Sequence, residues 1–72
     1  MKIYLNSVDK VRTFVREVSR YDENVDLVSG RFMVDAKSIL GIFSLDLSQP
    51  IEVVMDSDAP KKLQDTVLNY AA

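Results

Sequence analysis

The 72 residues contain no cysteine and no histidine. Without cysteine, neither a disulfide nor a thiolate metal site can prop up a small core. Without histidine there is no imidazole base, none of the usual zinc or iron ligation, and no phosphohistidine chemistry. Tryptophan is also missing, and glycine and proline occur only twice each, as punctuation within one domain rather than as a linker. Long apolar runs are absent too. None exceeds three residues, so no transmembrane helix fits. The opening Met1-Lys2-Ile3-Tyr4-Leu5 is too short and too quickly polar for a secretory signal. A cytoplasmic protein is the expectation.

What remains is one domain, residues 1–72. A chain of this size buries only about 60% of the surface its unfolded form exposes, and 47% hydrophobic residues suffice for a single core. The net charge of −2 comes from mixed signs, which argues against direct nucleic-acid binding, since that normally needs a basic footprint.

Met1, Ile3 and Leu5 alternate with polar neighbours or tyrosine, the period of a half-buried strand. Asn6 and Ser7 are both good N-caps. Val8, Val11, Phe14, Val15 and Val18 then share one helical face, predicting a helix over 8–20. Val25 and Leu27 form one short strand, Phe32 and Val34 another, with Ser29-Gly30 as the tight turn between them. Ser38 precedes an apolar helix of two turns, Ile39–Leu45. Gln49-Pro50 breaks the chain before a fourth strand, Ile51–Met55. Asp58 is the candidate cap of a last helix, with Pro60 in its first turn and Leu63, Val67, Tyr70 and Ala71 on its apolar face.

The order β-α-β-β-α-β-α, with one apolar face per strand, predicts an open-faced α+β sandwich whose helices cover one side of the sheet. Its core should join Val11, Val15, Val18, Ile42, Leu45, Leu63 and Val67 with Ile3, Val25, Phe32, Val34, Ile51 and Val53. Periodicity does not choose the strand order.

The stretch Ser38 to Leu45 is the most informative. Ile39, Ile42 and Leu45 share the core stripe, whereas Leu40 and Phe43 point elsewhere. Either another element covers those two, or they form an exposed patch beside Ser38 that fits a partner. Ser38 itself reads as an N-cap. The same position would tolerate a phosphate, because free backbone N–H groups and the positive helix end would face the dianion.

Ser19-Arg20-Tyr21-Asp22, then Val25-Asp26-Leu27, then the run from Val34 through Ala36-Lys37-Ser38-Ile39-Leu40-Gly41 to Ser44-Leu45, resemble the histidine-containing phosphocarrier protein (HPr) family of the bacterial sugar phosphotransferase system. The likeness covers residues 8 to 56 well and the ends loosely. It implies a four-stranded antiparallel sheet with three helices on one face. The family carries phosphate on a histidine in a G-[I/L]-H-A-R-P stretch, but Asn6-Ser7-Val8-Asp9-Lys10 stands there, and the preceding segment is several residues shorter. Ser7 falls at the histidine's place and lacks both the nucleophilic nitrogen and the following arginine, so relay through a histidine is chemically excluded.

A second family motif survives. In Gram-positive members the serine of the A-K-S segment is a kinase target, and the apolar helix after it docks regulatory partners. Ser38 matches that serine; Ile39, Leu40 and Phe43 match docking positions. Asp46 stands where the family has a glycine ending the helix, and an aspartate there would take a left-handed conformation at some cost.

Arg12, Arg16 and Arg20 recur every four residues along the first helix. They form either a solvated face or a surface for an acidic protein partner, since like charges at this spacing mildly destabilise a helix. Asp56-Ser57-Asp58 reads as a helix-start cluster, not an EF-hand. No P-loop, dinucleotide fingerprint or nucleophile elbow is present. No enzyme, cofactor or metal site is expected. The reading is an HPr-like regulatory module with Ser38 as the kinase target. The partners implied by the resemblance are an HPr kinase and a transcription regulator, and the chain is expected to be a monomer or weak homo-oligomer. The alternative is a degenerate HPr-fold structural or oligomerisation domain without phosphorylation.

Overall fold

The computed structural model describes all 72 residues. Its elements are β1 (Lys2–Ile3), α1 (Val8–Val18), β2 (Val25–Ser29), β3 (Phe32–Asp35), α2 (Ile39–Phe43), β4 (Ile51–Met55) and α3 (Lys61–Leu68). The strands form one antiparallel sheet in the order β1-β4-β2-β3. This is the expected α+β open sandwich, with three helices over one face.

Alternation decides which face is covered. Ile3, Val25, Leu27, Ile51 and Val53 are buried, while their neighbours Lys2, Glu52 and Val54 are exposed. The helices close over the apolar row with Val11, Phe14 and Val18 from α1, Ile42 from α2, and Leu63 and Val67 from α3. Leu5, Ala36 and Ala59 join this core, Val15 and Val34 pack half-buried at its margin, and no polar side chain is buried.

Local chemistry sets the helix boundaries. Ser7 caps α1 by accepting the Lys10 N–H at 3.1 Å. The helix stops two residues earlier than expected, and Ser19-Arg20 form a turn. Val8, expected on the core face, is exposed at the first position of α1, ahead of the buried Val11, Phe14 and Val18. In the β2–β3 hairpin Ser29 pairs with Phe32, so the turn is Gly30-Arg31 rather than Ser29-Gly30. Gly30 has φ +59° and Arg31 does not follow it into the positive region, the pattern of a II′ turn.

Phe32 was expected in the core and is exposed. It does lie on the helix side of the sheet, but its partner is Ser29 at the hairpin tip, where no buried helix residue meets it. Helix α2 is five residues long, shorter than the expected two turns. Asp46 does not take the left-handed conformation, as no residue but Gly30 has a positive φ. Its side chain instead accepts from Ser48, through the hydroxyl at 2.6 Å and the backbone N–H at 3.1 Å. Asp58 caps nothing: Pro60 precedes α3 without a side-chain cap, and the turn ahead of it is closed by the Ala59 N–H on the Asp56 carbonyl at 3.1 Å.

Tyr70 and Ala71 leave the helix. The last residues run beside β1, with the Tyr4 N–H donating to the Tyr70 carbonyl and the Ala72 N–H to Lys2, both at 2.9 Å. The Tyr70 ring meets Phe14 edge to face at 5.1 Å, and its hydroxyl donates to the Glu17 carboxylate. No helix is long and apolar enough to cross a membrane.

Candidate functional site

The segment from Asp35 to Ser44 is held by its own hydrogen bonds. The Ala36 N–H donates to Val25 at 2.9 Å, tying the end of β3 to β2, and the Ser38 N–H donates to the Asp35 carbonyl at 3.0 Å. The Asp35 carboxylate accepts the Lys37 N–H at 2.8 Å, an Asx turn. Lys37 reaches across to the Tyr21 carbonyl at 2.5 Å. Thus the turn before α2 is fixed to both its own strand and the loop after α1.

Ser38 emerges from this turn in an extended conformation and caps α2, its Oγ accepting the Gly41 N–H at 3.1 Å. Gly41 is a packing residue of this segment whose role the sequence reading did not identify. A Cβ there would stand 3.1 Å from Ser38 Oγ and 3.2 Å from Val34 Cβ, so the glycine lets α2 press against both its cap and β3. Only the tertiary neighbour Val34 makes this visible. The Asp35–Lys37 lock was also missed, although Asp at i with a free N–H at i+2 is a sequence signal for it.

Helix phase separates the side chains of α2 as expected. Ile42 is fully buried, while Leu40 is 81% and Phe43 42% exposed. Ile39 is half-buried and packs at the edge of the core. Phe43 and Leu47 meet Asn6, Ser7, Val8 and Ser48 across an open cleft of about 550 Å³. The structure therefore brings Ser7 and Phe43 together, and exposed Val8 extends the apolar surface around Phe43. Ser38 does not line this cleft. The lining has hydroxyls, an amide and apolar carbon, with no ionisable side chain to act as acid or base.

Nearby, the two Ser48 donors hold the Asp46 carboxyl below the ordinary carboxylate range. Arg12, Arg16 and Arg20 are all exposed and take part in no ion pair; the one ion pair in the molecule joins the Met1 amino group to Glu52.

No protein-family model matches the chain, and no curated protein does. Solved structures do. HPr-C-His from Thermoanaerobacter tengcongensis matches with a TM-score of 0.78 at 22% identity, over 96% of this chain and 83% of that one. The phosphocarrier protein HPr of Bacillus anthracis str. Ames matches with a TM-score of 0.76 at 20% identity, over 100% and 92%. Crh of Bacillus subtilis, a catabolite repression protein described as a swapped, intertwined dimer, matches with a TM-score of 0.66 at 26% identity, over 100% and 88%. The architecture is that of the phosphocarrier proteins. The chain has the HPr-like fold, and it has no histidine.

Proposed function

We propose that this chain is a regulatory protein-interaction module of the phosphotransferase and catabolite-regulation type, acting without phosphorelay and without enzymatic activity. The observation that carries the reading is Ser38 at the start of α2 with Leu40 and Phe43 exposed just beyond it. Its support is threefold: the HPr-like fold, the A-K-S segment that resembles the family's regulatory serine, and the absence of a histidine.

In this reading a kinase of the HPr type transfers phosphate to Ser38. The hydroxyl proton leaves to a base on the kinase, and the γ-phosphoryl group of ATP passes to Oγ with ADP departing. The phosphate oxygens would then replace Oγ as acceptors for the backbone N–H groups that open α2. A regulator, such as a transcription factor, would read the phosphate together with the apolar surface of Ile39, Leu40 and Phe43. Arg12 and Arg16 on α1, with Arg20 in the turn after it, would meet acidic groups of the same partner, while Ser7 would be a relic of the carrier position that only caps a helix. The setting is the cytoplasm.

Incubation with an HPr kinase and ATP tests this, read by intact mass and site mapping. One phosphate on Ser38, absent in S38A, is the expected result. No incorporation, or incorporation elsewhere, overturns the regulatory reading and leaves a structural domain of the same fold.

A further inference from the structure

The sheet has two edges, and only one is closed. On the β1 side the last residues of the chain supply hydrogen bonds to Tyr4 and Lys2. On the other side β3 ends the sheet with nothing paired outside it. An uncovered edge strand offers a row of unmet N–H and C=O groups, and proteins usually blunt such edges with charge, proline or a bulge. Here the first half of the edge is apolar and open, with Phe32 67% and Met33 65% exposed, and its one charge is Asp35 at the far end.

The hydrogen-bond parity of β3 follows from its end. The Ala36 N–H donates inward to Val25, so by antiparallel alternation Val34 and Phe32 also face β2, while Met33 and Asp35 present their backbone groups outward. Met33 and Asp35 lie opposite Val28 and Asp26, on the open face of the sheet. That register sets two aspartates directly across from each other, an arrangement that costs stability. Neither aspartate is in an ion pair, and the Lys37 ammonium is held at the Tyr21 carbonyl. No cationic side chain pairs with Asp35, and Arg31, in the turn just ahead of β3, is exposed and unpaired.

We infer that β3 is a self-association edge, pairing antiparallel with β3 of a second copy about a two-fold axis at Met33. That register places Met33 opposite the partner copy's Met33 and Arg31 opposite its Asp35, twice by symmetry. The outward N–H and C=O groups of Met33 find their complements in the same residue of the other copy. Phe32 comes opposite Val34 on the helix side, and each guanidinium meets the aspartate pair that lacks a counter-ion. A second copy is favoured as occupant because the five residues Arg31-Phe32-Met33-Val34-Asp35 are complementary to their own reverse, with opposite charges at the ends and apolar residues between. The product is a continuous eight-stranded sheet, joining two sheets of four strands. Ser38 phosphorylation is not required for it.

Sedimentation velocity over a concentration series up to about 1 mM, where even the weakest specific pairs register, reads the association. A monomer–dimer equilibrium weakened by salt is expected. R31D and D35R should each weaken it by about tenfold or more, because each turns two attractive cross-strand pairs into repulsive ones. Mixing the two variants should restore a heterodimer, as every aspartate then faces an arginine; this rescue also shows that both variants fold. M33P, which removes an outward N–H at a place where an edge strand tolerates proline, should be monomeric with an unchanged far-UV spectrum. A chain monomeric at every concentration overturns the inference. So does a dimer indifferent to M33P, or a mixture of R31D and D35R that associates no better than either alone.

Discussion

Truncating Ile42 to alanine probes how α2 is held. Ile42 is the only buried residue of that five-residue helix, and it is fully enclosed. The change deletes three carbons, about 2.4 kcal/mol of transfer free energy at roughly 0.8 kcal/mol each. The cavity left behind adds to this, so the loss should fall within the range of about 2–5 kcal/mol seen for such truncations. A chain of this length has about 4–11 kcal/mol in all, at roughly 0.05–0.15 kcal/mol per residue. At about 4–8 °C per kcal/mol, the midpoint of thermal unfolding should fall by at least about 10 °C. Urea unfolding followed by circular dichroism gives the number directly. Serine at both Leu40 and Phe43 is the contrast: these side chains are exposed, and the double change should stay within about 1 kcal/mol. An Ile42→Ala loss below about 1 kcal/mol, or a serine variant as damaged as the alanine one, would refute the assigned phase of α2.

That phase was legible from spacing alone, because a helix of even one turn points residues 40 and 42 to different sides. The alternation of Ile3 with Lys2, and of Ile51 and Val53 with Glu52 and Val54, was legible for the same reason. Phe32 shows where the rule runs out. Period two places it on the core side, but burial needs a neighbour overhead, and at the hairpin tip its partner is Ser29. The end of α3 failed differently. Tyr70 continues the helical period, yet its backbone is drawn to β1 by hydrogen bonds that local sequence does not encode. Leu40 and Phe43 were legible as off-core, whereas Gly41's role required knowing that Val34 of β3 lies against it. The aspartate pair across β2 and β3 likewise depends on register, and register depends on a turn displaced by one residue from its sequence reading.

Tyr70 and Gly41 each give a further test. Burial, then the Glu17 carboxylate, push the Tyr70 hydroxyl up from 10.0 to about 12. The unfolded chain therefore loses this proton first, and the stability tied to it is complete below pH 10 and declines as pH rises towards 12. Unfolding free energy measured across that interval should fall more steeply for the parent chain than for Y70F, and equal slopes would show that neither burial nor the Glu17 bond raises the Tyr70 hydroxyl. Gly41→Ala sets two effects in opposition. Helix propensity alone favours alanine by about 1 kcal/mol. Against it, the added methyl would stand 3.1 Å from Ser38 Oγ and 3.2 Å from Val34 Cβ. Val34 Cβ is fixed to strand backbone and cannot yield, so either α2 lifts from β3 or Ser38 rotates and surrenders a cap worth about 1 kcal/mol. Overpacking of this kind costs about 1–3 kcal/mol, so the strain outweighs the propensity gain and the net effect is destabilising. In an S38A background, where the cap is already gone, the same change should cost less, with a coupling of at least about 0.5 kcal/mol between the two sites. A Gly41→Ala protein more stable than the parent would mean that α2 slides freely on β3, and Ser38 would then have no fixed place from which to present a phosphate.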